Sequence, residues 1–283
     1  MPLTRTLGGA TVVALHDGEG TFFQPRGEAF PQVSAELWAQ ADARDPGAVT
    51  PDGQWLLRFR CFAVRHGDHV TLVDAGIGPA DSLAASWAPV PGRLPEELAA
   101  AGIDPADVDT VVLTHLHTDH IGWAVNFFQP EPRGAGTPTH GGRGEVEKGS
   151  LVGTPYFPNA TYLLQRADAE AFDRPEIRRR LLGPLTDAGQ LRLVEGDVPI
   201  AAGVTAIATP GHTPGHQSVL IGYGERQLLI TGDLLVHVVQ LVAPDTAYAH
   251  EMDPEAARNS RTKLLKAGIT LATPHLSEPF LPA

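Results

Sequence analysis

Short apolar runs of β type recur along the 283-residue chain, and several of them end in a histidine or an aspartate. "ATVVALHDG" reads as a strand closing at an Asp-Gly turn, and "LLRFRCFAVRHGDHVTLVDAGIG" as two strands joined at His66-Gly67-Asp68. "LPEELAAAGI" has helical spacing, acidic residues early and Gly102 at the C-terminal cap position. The β-branched run "DVDTVVLTHLH" follows and carries histidines on its end. Residues 129–158 are rich in Gly and Pro and show neither helical nor strand period, so they read as a long loop insertion and a candidate lid. Beyond it, "ATYLLQ", "QLRLVEG" and "VTAIATPGHTPGHQSVLIGYGERQLLITGDLL" read as strands with loops. "RADAEAFDRPEIRRRLL" reads as a broken helix. A last helix, "DPEAARNSRTKLLKAG", opens with Asp253 as N-cap and Pro254 at N1, then leads into the strand "ITLATPH". Strands fill both halves with helices between them, which predicts one layered α+β domain over residues 1–283.

Composition narrows the function. With 42% hydrophobic and 19% charged residues the chain reads as globular, and a net charge of −12 without a basic run disfavours nucleic acid and anionic membrane partners. No apolar run approaches a membrane span and the N-terminus lacks the apolar core of a leader, so a cytoplasmic protein is expected. Cys61 is the one cysteine; it excludes an intrachain disulfide and is expected to be a buried hydrophobe.

The chemistry sits in "LTHLHTDHIGW". On an extended strand end His115 and His117 project to one side and can reach one ion, while Asp119 and His120 follow at the turn and can be aimed at a second point. Imidazole and carboxylate suit zinc, iron, cobalt or manganese. Three more strand-like runs deliver the same ligand types: His212 and His216 in "GHTPGH", Asp233 in "TGD", and His275 in "ITLATPH".

Together with "LVDAG" upstream, these motifs over residues 55–276 resemble the metallo-β-lactamase superfamily. The resemblance implies a four-layer αββα sandwich holding two divalent ions, zinc first, with iron, manganese or cobalt as alternatives. His115, His117 and His212 would hold one ion, Asp119, His120 and His275 the other, and Asp233 would bridge them. Asp74 would brace the histidine loop and His216 would support the His212 loop. His117, where flavodiiron proteins carry glutamate, argues against oxygen reduction. His120 and Asp233 argue against β-lactam hydrolysis. "TGDLLVHVVQL", "DPEAARNSRTKLL" and "TPHLSEPF" resemble the branch of quorum-quenching N-acyl-homoserine lactonases and methyl parathion hydrolases, whose best-studied lactonases carry a tyrosine where this chain has Val236.

The resemblance therefore implies a hydrolase of small lactones or esters, a hydroxide between the ions attacking the carbonyl and Asp119 passing a proton to the leaving group. Asp119, Asp233 and His237 are the candidate catalytic residues, His237 as proton donor in place of the tyrosine. Glyoxalase II-like thioesterase, aryl-ester or organophosphate hydrolase and mononuclear iron persulfide dioxygenase activities remain alternatives. A homodimer is implied by the same relatives. Trp123, Phe127 and Phe128, with Phe22 and Phe23, are candidate aromatic walls of the pocket, whereas His16, His66, His69, His140 and His250 are expected to be exposed or structural.

Overall fold

The computed structural model describes residues 2–128, 152–223, 226–266 and 268–283. Among the described residues, fifteen strands form two large sheets and one small ribbon. The first sheet joins β1 (Thr4–Leu7), β2 (Ala10–Thr21), β3 (Leu56–His66), β4 (His69–Val73), β5 (Thr110–Val112), β8 (Thr161–Gln165) and β9 (Leu191–Val194), in that spatial order. The second joins β10 (Val198–Ala201), β11 (Val204–Ala208), β12 (Gln217–Tyr223), β13 (Arg226–Ile230), β14 (Thr270–Ala272) and β15 (Phe280–Pro282). The ribbon pairs β6 (Val125–Phe128) with β7 (Val152–Pro155).

Strand alternation builds the layers. Val12 and Ala14 of β2, Phe62 and Val64 of β3 and Val112 of β5 point inward and meet Val219, Ile221, Leu228 and Ile230 of the second sheet. Their neighbours one residue along, Val13, Leu15, Cys61 and Ala63, point outward under the helix Leu94–Ala100 and the helical segments around Ile177 and Leu185. On the far side of the second sheet, Leu229 and Leu271 pack with Phe30, which ends the short helix Arg26–Ala29, and with Ala41 and Val239 from the helices Ala35–Arg44 and Val239–Val242. Helix, sheet, sheet, helix is the four-layer αββα arrangement expected, and Cys61 is buried as expected. The helix Ala35–Arg44, capped by Ser34 accepting from the Leu37 N–H, escaped the sequence reading because its moderate amphipathicity carries few large apolar residues. Among the described residues, no helix is long and apolar enough to cross a membrane.

Two expectations change. β2 does not end at Asp17-Gly18; it bends there at an irregular register and runs on to Thr21 beside β3. Asp17 is fully buried and accepts hydrogen bonds from the Ile77 N–H, the Leu94 N–H and Trp123 Nε1, so it ties three segments together instead of making a turn. The 129–158 insertion is shorter than its composition implies: Val152–Pro155 is a strand paired with Val125–Phe128. Residues 129–151, with the lid expectation and His140, lie outside the described residues.

Candidate active site

Parallel strands leave their C-terminal ends along one edge of the sandwich, and the polar residues collect there. β4 ends at Asp74, β5 leads into His115–His120, β11 into His212, β13 into Asp233 and β14 into His275. The turn after His120 is held close to the loop after Asp74 by three short backbone bonds, Ala75 N–H to His120 O, Gly122 N–H to Gly76 O and Trp123 N–H to Ala75 O, each 2.7 Å. A Cβ at Gly122 would lie 2.3 Å from the Gly78 nitrogen, so glycine there is what permits the approach.

Seven predicted ligand residues converge. Their donor atoms fall into two groups, His115, His117, His212 and Asp233, and Asp119, His120 and His275, within each of which they lie no more than 4.8 Å apart. His212 Nε2 is 2.9 Å from His117 Nδ1. Asp233 faces both groups. Its Oδ2 is 3.2 Å from His212 Nε2 and 3.7 Å from His115 Nε2; its Oδ1 is 3.0 Å from His275 Nε2 and 3.3 Å from His120 Nε2. Asp119 Oδ2 lies 3.4 Å from His120 Nε2 and 3.6 Å from His275 Nε2.

Buried polar atoms normally find a partner, yet His115 Nε2, His120 Nε2 and Asp233 Oδ1 are buried here with no hydrogen bond. Orphaned donor atoms aimed at common points, in an all-imidazole and carboxylate set, fit divalent cations. The ring orientations are set from behind. His120 Nδ1 donates to Asp74 Oδ2 at 2.8 Å and His275 Nδ1 to the Arg58 carbonyl at 2.8 Å, turning each Nε2 inward. His216 Nδ1 donates to Thr209, and its Nε2 accepts the Asp233 N–H at 2.9 Å, so it positions the Asp233 backbone as well as bracing the His212 loop.

The electrostatics agree with that arrangement. Burial, reinforced by neighbouring imidazoles, pushes His115 well down and His117 to about 3, so both stay neutral. Burial opposes charge on His120 and His275 too, but Asp119 and Asp233 outweigh it and raise both. Burial likewise disfavours an ionised Asp233, and His275, His120 and His212 overcome it, holding the carboxyl well below its ordinary value.

Three buried groups that hold the site were invisible in the sequence. Asp168, fully buried at the start of the helix Arg166–Ala171, accepts from the Leu116 N–H at 3.1 Å and the Gly215 N–H at 2.7 Å, joining the loop of His115 and His117 to that of His212. Asp168→Ala orphans both N–H groups, so a loss of roughly 2–4 kcal/mol is expected, with weaker cation retention at the His115, His117 and His212 group. Calorimetry and metal titration check this, and an unchanged pair of values refutes the coupling. Arg60 donates to the carbonyls of Thr273, Leu276 and Ser277 and so clasps the loop of His275, while Asp45 holds Ser277 from the other side. Arg261 pairs with Glu251 beneath the segment carrying Tyr248.

The cleft in front of the cluster is a cavity of about 270 Å³. Phe22, Phe23, Trp55, Trp87, Val236 and Tyr248 line it on one side and Phe172, Arg174 and Ile177 on the other, with Asp119, His117, His212, Asp233 and His275 at its floor. Phe22 and Phe23 fulfil the expectation of an aromatic wall. Trp123 and Phe127 do not: the Trp123 indole is engaged with Asp17, and Phe127 packs beneath the first sheet against Arg180. Trp55 and Trp87 take their place, one tilted against Phe22 at 4.7 Å and the other edge-on to it at 6.0 Å. His250 lies exposed at the rim, bonded to Gln24, so it borders the cleft as well as solvent. Burial first, then the charges of Asp233, Asp119 and Glu251, pushes the Tyr248 phenol far above its ordinary range, so it keeps its proton.

His237 is set apart. It is fully buried behind Val236, its ring enclosed by Phe30, Trp38 and Trp55 at 5.3–5.6 Å and its Nδ1 accepting the Val239 N–H, and it does not line the cleft. The candidate proton-donor role is therefore corrected to a structural one; its position four residues after Asp233 carries it over the strand end into the helical layer. Burial holds His237 at about 3, against an ordinary 6.5. Between those values the unfolded chain binds a proton that the folded chain refuses, so stability falls as pH drops through this window, by up to about 1.4 kcal/mol per pH unit for this group. His237→Asn should flatten the dependence of Tm on pH between 6.5 and 4 in metal-free protein; an equally steep curve overturns the assignment.

Comparison with known proteins agrees with this geometry. Residues 60–272 match the family model of the metallo-beta-lactamase superfamily. The N-acyl homoserine lactonase AttM of Rhizobium radiobacter is 28% identical over 200 residues, covering 64% of this chain and 62% of its own length. AttM of Azorhizobium caulinodans is 31% identical over 141 residues, 44% of this chain and 40% of that protein. The match thus spans less than two thirds of these relatives. Among solved structures, hydrolase AbOPH of the beta lactamase superfamily superposes with a TM-score of 0.73 at 25% identity, covering 98% of this chain and 91% of AbOPH. The dizinc quorum-quenching lactonase AidC gives 0.69 at 19% identity, covering 100% and 96%. With the αββα layers, the edge cluster of histidines and aspartates and a family match over three quarters of its length, the chain belongs to the metallo-beta-lactamase superfamily.

Proposed function

We propose that the protein is a binuclear metal-dependent hydrolase of small esters or lactones, with zinc as the first expectation for both ions and the single domain 1–283 as the working unit. The observation that carries this is Asp233, whose two oxygens each face one group of donors at the floor of an aromatic-lined cleft. A second complete group, Asp119, His120 and His275, weighs against a mononuclear iron dioxygenase. Arg174 is the one Lys or Arg on the described cleft lining, which offers little to the anionic glutathione thioesters of glyoxalase II. The relatives named as N-acyl homoserine lactonases favour lactones; the rings of Phe22, Phe23, Trp55 and Trp87 also suit an aryl ester or aryl phosphotriester.

Divalent ions at such a site supply Lewis acidity and lower the pKa of coordinated water to about 7. The chain's own residues do the rest. The Asp119 carboxylate, lowered by His120 and His275 against its burial, stays ionised and takes the proton of the attacking water. As the C–O bond to the leaving alkoxide breaks, Asp119 returns that proton to the alkoxide oxygen, giving an acid and an alcohol. The aromatic wall holds the acyl or aryl part and excludes water from it. The test is a pH-indicator assay of zinc-loaded protein on N-acyl homoserine lactones of graded chain length, aryl esters, aryl phosphotriesters and thioesters. Turnover of lactones or esters that is lost on chelation and restored by zinc supports the reading; turnover confined to thioesters overturns it.

A further inference from the structure

We infer that the Tyr248 phenol donates a hydrogen bond to the carbonyl-derived oxygen of the substrate, and then of the product carboxylate; this rests on the ester and lactone reading above. Buried phenols normally find a partner, and Tyr162 does, donating to the Ala124 carbonyl at 2.9 Å. Tyr248, only 6% exposed, has no hydrogen-bond partner for its hydroxyl among the described residues and lines the same cavity as Asp119, Asp233, His117 and His275.

Its placement is rigid. The ring lies parallel to that of His212, 9° apart in plane and 6.0 Å between centroids, and rests against Phe30 at 5.2 Å. Its N–H is bonded to Glu251, which is itself held by Arg261 and Gln240, and the following Ala249 N–H is bonded to the Ala29 carbonyl at 2.8 Å. A buried ion pair and two hydrogen bonds thus fix a side chain whose own polar atom they leave free, which is how a donor is preorganised for a ligand.

Other polar groups on the lining are engaged with neighbouring side chains. Thr118 Oγ1 accepts from Trp87 Nε1 at 3.0 Å, His250 Nε2 is 2.7 Å from Gln24 Oε1, and the Arg174 guanidinium lies over the Phe172 ring at 5.6 Å. Val236, also on the lining, has no donor to offer. The step is a hydrogen bond strengthened as charge gathers on the oxygen, with no bond made or broken at Tyr248.

Tyr248→Phe removes the hydroxyl alone and keeps the ring against His212. In zinc-loaded protein, kcat/KM for N-hexanoyl-L-homoserine lactone should fall about ten- to a hundredfold, mainly in kcat, and the ring-opened N-hexanoyl-L-homoserine should bind about three- to tenfold more weakly by calorimetric titration. Metal content and Tm should match the parent protein. Equal kcat/KM and equal product affinity in the two proteins would overturn the inference, as would loss of metal in the variant, which would place the effect in the wall against His212. Asp233→Ala, run in parallel, separates the two readings. If the parent hydrolyses no ester or lactone faster than that variant, the hydrolytic reading falls, while the affinity comparison still decides Tyr248.

Discussion

Asp233→Ala lowers turnover of every substrate the protein hydrolyses by at least about a thousandfold, the scale of loss when one member of a group acting as a unit is removed. On the proposed two-ion reading, it is also expected to lower the bound metal from two equivalents towards one. The physical reason is that, among the described residues, Asp233 is the side chain that faces both donor groups, with one oxygen 3.2 Å from His212 and the other 3.0 Å from His275. Without it each site keeps three donors, but nothing fixes their separation. Its negative charge also balances His120 and His275, whose pKa values are raised by Asp233 among other carboxylates. Atomic absorption and the indicator assay together check this. Two tightly held equivalents in Asp233→Ala, with activity near that of the parent, would remove the shared carboxylate from the mechanism.

Asp74→Ala gives the largest loss of stability, roughly 3–5 kcal/mol, or about 10 °C in Tm. One buried carboxylate there accepts the Thr114 N–H at 2.8 Å, the Thr114 hydroxyl at 2.9 Å and His120 Nδ1 at 2.8 Å. It does so from a left-handed backbone, φ 63°, that Asp and Asn tolerate better than Ala. Removal orphans three donors and frees the His120 ring to rotate, so metal affinity at the Asp119, His120 and His275 group falls as well. Asp74→Asn keeps the backbone preference and part of the acceptor capacity, and should lose less than half as much Tm. Thermal unfolding of metal-free and zinc-loaded forms separates the two contributions; equal losses in Ala and Asn variants would contradict the account.

Much of the site was legible in sequence because strand period and metal chemistry are both local. His115 and His117 alternate on one strand end, and Asp119 and His120 follow within one turn, so type and spacing were enough to name them together. His212, Asp233 and His275 each follow an apolar β run, and strands that end on the same edge of a sandwich bring such residues together whatever their separation. The hairpin at His66–His69 and the helix from Asp253 were readable for the same reason, from turn and cap residues.

What supports and shapes the site was decided only by the tertiary structure. Asp17, Asp168 and Arg60 act through backbone groups far away in the chain, and Arg261 through Glu251 and the carbonyls of Leu234, Pro244 and Thr246, and such pairings leave no period in the chain. Asp17-Gly18 has the composition of a turn, yet burial of Asp17 under Ile77, Leu94 and Trp123 overrides that local preference. His237 and Tyr248 show the same limit from opposite sides. Both lie soon after Asp233 in sequence, but packing among Phe30, Trp38 and Trp55 encloses the imidazole, whereas anchoring by Glu251 and Arg261 holds the phenol at the cleft. By itself the sequence determined which atoms can bind a cation and on which strand ends they sit. Only the tertiary structure decided which polar groups face the cleft, because that depends on the close packing of side chains from distant segments.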